Sequence, residues 1–198
     1  MTTRQASGLS TVQGHYWHAV LLGNRSLARR LQPRAFLDRR ALGGVLLGTF
    51  RVVLRWLDPN PNDHAEIRQF AERVTSYTYA TYGVPVDEVS QCMLREMGEA
   101  PDDDVEPAHP GIAELAVVMT GVRDLELKPG DIDRMISGGE EFARQWGITL
   151  AAYRPGPIMR WRFEMAEGRW YGYSARRRWS AERMGAFTNW LRDDDRAV

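Results

Sequence analysis

Between Asp63 and Trp146 apolar side chains return every three or four residues, and clusters of proline, glycine and asparagine interrupt them. Ile67, Phe70, Ala71 and Val74 form one series; Val86, Val89, Met93 and Met97 form a second; Ile112, Leu115, Met119 and Val122 form a third. Ile132, Met135, Ile136, Phe142, Ala143 and Trp146 make a fourth. A period near 3.6 residues puts each series on one side of a helix, and such a face is buried only when helices pack against one another. The central part of the chain is therefore expected to be a helical assembly.

The amino-terminal part fits the same plan. A broken helix is predicted from His15 to Leu31, with Gly23-Asn24 as the break and Ser26 as the cap of its second part. Pro33 is expected to end that helix or to begin the next. A longer helix is predicted from Phe36 to Leu57, stopped by Asp58-Pro-Asn-Pro-Asn-Asp63, where proline and asparagine favour turn geometry. The run Val74 to Tyr82 is rich in threonine and tyrosine, which prefer strands, although a helical series leads into it. Gly83 and Pro85 mark a further turn. Gly138-Gly139 within the fourth series either kinks a helix or allows close packing, at about 1 kcal/mol for an exposed interior glycine relative to alanine.

After Gly147 the pattern changes. Ile148 to Tyr153 is predicted as a strand, Arg154-Pro-Gly-Pro157 as a turn, and Ile158 to Glu164 as a second strand, with Trp161, Phe163 and Met165 alternating with Arg160, Arg162 and Glu164. Ala166-Glu-Gly168 then turns the chain into Arg169 to Tyr173, and a helix from Arg177 to Leu191 closes it. The expected fold class is α+β, mainly helical with a short C-terminal antiparallel β-meander and a closing helix. Residues 98–111, with three prolines and five acids, read as an acidic linker or loop. They separate a helical region, 1–97, from an α+β region, 112–198, which either packs with the first as one domain or stands apart.

Twenty-six basic and twenty-six acidic residues cancel, but their distribution is uneven. Residues 1–59 carry +7, residues 60–141 carry −12, and residues 142–198 carry +5. The chain is polarised, and only a globally basic protein is excluded. Acidic residues Asp87, Glu88 and Glu96 also argue against the Val86 helix as a reader of duplex DNA. Lys128 is the single lysine, a bias that reflects the coding genome and points to a high-GC bacterium or phage. The single cysteine, Cys92, sits in an apolar series, where a buried small hydrophobe in a reducing, cytoplasmic setting is expected. The apolar stretch 41–57 is interrupted by Arg51 and Arg55 and is expected to be a core helix, not a membrane span. The first residues hold one charge and no apolar run, so no secretory leader is expected.

No phosphate loop, dinucleotide turn or nucleophile elbow is present. His15 and His18 are spaced to share one helix face, but a histidine pair without further placed ligands defines no metal site. His64, His109, the Glu140-Glu141 pair and Asp131 with Asp133 lack a sequence relationship that joins them, and Asp102-Asp-Asp104 with Glu106 lacks an EF-hand's spacing. Neither metal nor cofactor is assigned. The most informative segment is the carboxyl-terminal one, where eleven of the twenty aromatic residues fall between Phe142 and Trp190 among many arginines. Arg160, Arg162, Arg169, Tyr171, Tyr173, Arg176, Arg177 and Arg178 are the candidate interaction residues. The leading expectation is a protein-interaction or accessory module with a protein partner or a second copy of itself. Alternatives are single-stranded nucleic-acid binding through the same arginines and aromatics, and a small enzyme whose site assembles from histidines and carboxylates.

Overall fold

A helix begins where something satisfies its free amide groups, and this chain supplies a side-chain acceptor at each of the first four helix starts. The structure, a computed structural model, describes residues 8–82, 84–98 and 110–171. Thr11 opens α1 (Val12–Leu21), its hydroxyl accepting from the Gly14 amide at 2.9 Å. Asn24 opens α2 (Arg25–Ala35) by accepting from the Leu27 amide at 3.1 Å, so Asn24 and not Ser26 is the cap. Pro33 lies inside α2, in its last turn, where loss of one backbone bond is tolerated. Asp38 caps α3 (Arg39–Leu57), which ends on Asp58 in the left-handed conformation at φ 48°. The proline-asparagine turn thus falls where the sequence places it.

Asp63 accepts from the Glu66 amide at the start of α4 (His64–Tyr82). The threonine- and tyrosine-rich end of α4 remains helical. Ile67, Phe70, Ala71 and Val74 are all buried, and this packing outweighs strand preferences that span only about 1 kcal/mol. Next come α5 (Val86–Met97), closed by Gly98 at φ 87°, and α6 (Pro110–Asp124). In α7 (Pro129–Gln145) the Asp131 carboxylate accepts from the Lys128 amide at 3.0 Å, and Gly147 at φ 73° follows the helix. The last described element is α8 (Pro157–Tyr171).

The expected β-meander is not found, and the α+β class is corrected to all-helical among the described residues. Residues 148–153 form an irregular connection. Its one β feature is a single antiparallel bridge between Ala152 and Thr11, beside a Tyr153 amide donating to the Ser10 carbonyl at 2.8 Å. The second predicted strand and the start of the third lie within α8. Six residues of alternating arginine and aromatic character fit a period of two, yet Phe163, Ala166 and Trp170 fit a helical face equally well, and these three are buried while Trp161 is 58% exposed. Burial of the i, i+3, i+7 set selects the helix. The acidic residues 99–109 and the predicted closing helix lie outside the described residues.

One apolar cluster draws side chains from all eight helices, on both sides of the acidic stretch. Within it α3 packs most extensively on α7 and next on α6, while α1 packs on α2 and α7, and α4 on α5. Every residue of α1 is buried. A helix buried all round is normally apolar. This one carries Gln13, His15 and His18 into the interior. Trp170 of α8 donates its indole N–H to the Leu127 carbonyl at 3.2 Å, fastening α8 over the turn between α6 and α7. No described helix is long and apolar enough to cross a membrane.

Candidate functional site

The histidines of α1 are three residues apart and so project from one side of the helix. Both are buried, at 2% and 1% exposure. The Phe163 ring of α8 lies against each of them, with centroids 5.1 Å from His15 and 5.6 Å from His18, the second in a stacked geometry. Tyr153 meets the His15 ring edge-on at 5.4 Å. Aromatic walls therefore separate the imidazoles from water.

The opposite wall is α7. Asp133, Ser137 and Glu140 recur at helical spacing along it, and Asp133 Oδ1 stands 3.3 Å from His18 Nε2. Glu167 of α8 completes a trio in which one ligand atom each from His18, Asp133 and Glu167 lies within 4.8 Å of the others. Glu140 does different work. Its carboxylate accepts from the Thr11 amide and hydroxyl at 3.0 and 2.7 Å and from the Ser10 hydroxyl at 2.6 Å, tying the start of α1 to α7. Arg144 lies 3.5 Å from the same carboxylate. Gly14 makes room for it, since a Cβ there would come 2.2 Å from Glu140 Oε1.

Polar satisfaction distinguishes the two carboxylates of α7. Among the described residues both ring nitrogens of His15, both of His18, Asp133 Oδ1 and Ser137 Oγ have no hydrogen-bond partner, so the 3.3 Å approach of His18 to Asp133 lacks the direction of a hydrogen bond. Each unsatisfied buried group costs about 1–3 kcal/mol, and native interiors hold few of them. Burial lowers His15 to about 4, partly opposed by Glu140, and lowers His18 to about 3 with a further contribution from His15. Burial raises Asp133 to about 7, helped by the carboxylates of Glu167 and Glu140. At neutral pH both imidazoles are uncharged, so the His18–Asp133 contact is not an ion pair.

Sequence-predicted residues separate into groups. Arg160, Arg162 and Arg169 all lie on α8, not on a sheet face; Arg162 and Arg169 line a cavity with the start of α2, which Arg160 does not line. Tyr171 is the last residue of α8, while Tyr173, Arg176, Arg177 and Arg178 lie outside the described residues. His64 opens α4 at an exposed position, and His109 is outside the described residues, so neither joins the α1 histidines here. Of the paired carboxylates, Asp131 caps its own helix, Glu141 is exposed, and Asp133 and Glu140 face α1. Glu167 has no sequence signal, because only the packing of α8 brings it to His18.

A second cavity, of about 320 Å³, is lined by Phe50, Cys92, Arg95, Glu96 and Glu114. Burial raises the Cys92 thiol to about 12, and Glu114 and Glu88 raise it further against Arg95. Burial likewise raises Glu114 to about 7, with Glu96 adding to it. A thiol held protonated is neither a nucleophile nor a ligand at neutral pH. No protein-family model matches the chain, and comparison with curated proteins and with solved structures finds no match.

Proposed function

We propose that the protein is a metalloprotein that binds one divalent transition metal through His18, Asp133 and Glu167. The observation that carries this reading is the meeting of a buried imidazole, free of hydrogen bonds at both nitrogens among the described residues, with two carboxylates that each place an oxygen within 4.8 Å of it and of each other. A cation at their centre relieves carboxylate repulsion and gives the ring nitrogen a partner. One imidazole and two carboxylates suit zinc, manganese or ferrous iron better than calcium or magnesium, which favour all-oxygen sets. Three protein ligands leave positions for water or substrate, the arrangement of a catalytic site and not of a closed structural one.

The test is metal titration of the whole chain after chelation, with bound metal counted by mass spectrometry and cobalt(II) absorption reporting the ligand set. One equivalent should bind in the native protein, and Asp133→Asn and Glu167→Gln should each weaken it tenfold or more. Absence of saturable binding for all of manganese, cobalt and zinc, or equal binding in both variants, sinks the proposal.

A second reading, the protein-interaction module, is favoured by Ile158, Trp161 and Met165 of α8, which are 71%, 58% and 44% exposed at helical spacing. Three neighbouring exposed apolar side chains make a stripe of the kind that packs on a partner protein. Light scattering over a hundredfold concentration range, with and without Trp161→Ser, tests for self-association.

A further inference from the structure

The cavity between α2 and α8 has about 370 Å³ of free volume, within the range of small-molecule sites. Its walls divide by chemistry. Leu27, Trp161 and Met165 supply apolar surface, and Arg162, Arg169 and Ser26 supply donors. No acidic one among the described residues lines it. Among the described residues neither arginine has an acidic partner, and Arg162 Nε is buried without a hydrogen bond. Arg162 and Arg169 are seven residues apart, two helical turns, and so project from the same side of α8.

Two guanidinium groups facing one cavity repel each other, and among the described residues the Arg162 Nε donor is left unused. An oxyanion satisfies both at once, because the planar fork of arginine matches carboxylate and phosphate geometry. The positive end of α2 adds to the same preference: the cavity includes Asn24, its N-cap, and Ser26 of its first turn. The exposed Trp161 ring offers a face on which a flat group can stack. From this combination we infer that the α2–α8 cavity is a binding site for a small organic oxyanion, a carboxylate or phosphate ester carrying a planar apolar body. The site is separate from the metal trio, although Glu167 lies between Ala166 and Arg169 on α8, so the two occupy adjoining faces of one helix.

Phenyl phosphate is a suitable probe, with phenol and inorganic phosphate as its two halves. Calorimetric titration of the full chain, with and without added zinc, should show saturable binding of phenyl phosphate at least tenfold tighter than of phenol. The double variant R162Q/R169Q should lose tenfold or more in affinity, and Trp161→Ala should weaken phenyl phosphate while leaving inorganic phosphate unchanged. Because Arg169 is exposed, R169Q alone provides the same comparison should the double variant fold poorly. No saturable binding of phenyl phosphate up to 10 mM (about 2.7 kcal/mol of affinity), or undiminished binding in R169Q and R162Q/R169Q, overturns the assignment. Binding that is independent of zinc but lost in the arginine variants upholds it even if the metal proposal fails.

Discussion

Gly48 of α3 and Gly139 of α7 touch backbone to backbone. A Cβ on Gly48 would stand 2.5 Å from the Gly139 carbonyl oxygen, and one on Gly139 would stand 2.7 Å from the Thr49 amide nitrogen. Neither neighbour is a flexible side-chain tip that can swing away, so the approach of the two central helices depends on these glycines. Substituting either by alanine should destabilise the fold by about 2 kcal/mol through overpacking. Gly43→Ala, on the open side of the same helix with no atom within 4 Å of the added carbon, should instead stabilise by up to about 1 kcal/mol. Urea denaturation of the three variants checks this; equal losses at Gly43 and Gly48 would contradict it.

Glu140 is the anchor of α1. Replacing it by alanine leaves the buried Thr11 amide and hydroxyl without their acceptor, at a cost of about 3 kcal/mol. Glu140→Gln keeps one carbonyl oxygen and should cost less. Equilibrium unfolding should therefore rank native above glutamine above alanine, and a neutral Glu140→Ala would remove this role.

Metal should act as a folding ligand. At a free concentration a hundred times its dissociation constant it should add about 2.7 kcal/mol of stability, which chelation removes. Differential scanning calorimetry should show this shift in the native chain and not in Asp133→Asn. A shift that survives the substitution places the ion elsewhere.

Glu114 should make stability depend on pH. Its carboxyl is raised from the ordinary 4.5 to about 7, so between these values the folded chain holds a proton that the unfolded chain has released. The Glu114 contribution to stability should therefore fall as pH rises from 4.5 to 7 and level off above, a loss of about 3 kcal/mol. His15 and His18, lowered by burial, act in the opposite sense below 6.5, and Asp133 acts in the same sense. The stability of Glu114→Gln relative to the native chain should therefore rise between pH 4.5 and 7, and its melting temperature should be the higher at pH 8. An unchanged slope in the variant would show that other groups set it.

Cys92 should be nearly inert in the folded chain. With the thiol near 12, the thiolate fraction at pH 8 is about a ten-thousandth, and the side chain is buried besides. Iodoacetamide labelling followed by mass should proceed only after denaturation; prompt labelling of the native chain at pH 8 would be the contrary result.

Most of the helices could be read from local chemistry. Val89, Met93, Leu115, Met119, Val122, Ile132, Met135 and Ile136 are buried on the faces their spacing predicts. Asp58 to Asp63 separates two helices because proline and asparagine act within a few residues. Where two patterns fitted, local chemistry did not choose. Arg160 to Met165 satisfies a period of two, and its helical state depends on Phe163 meeting α1 and Trp170 meeting the α6–α7 turn. The site was half legible in the same sense. His15 and His18 stand out as a pair from their spacing, as Asp133 does with Asp131, but nothing local links either pair to Glu167.

By itself, then, the sequence determined that the described chain through residue 146 is helical and where its breaks at 58–63 and 83–85 fall, since turn chemistry and apolar periodicity are interactions between near neighbours, but it misplaced the cap of α2 and the end of that helix. Tertiary structure decided the state of residues 157–171 and the convergence of His18, Asp133 and Glu167. Both outcomes depend on which faces are buried together, and that burial involves residues far apart along the chain.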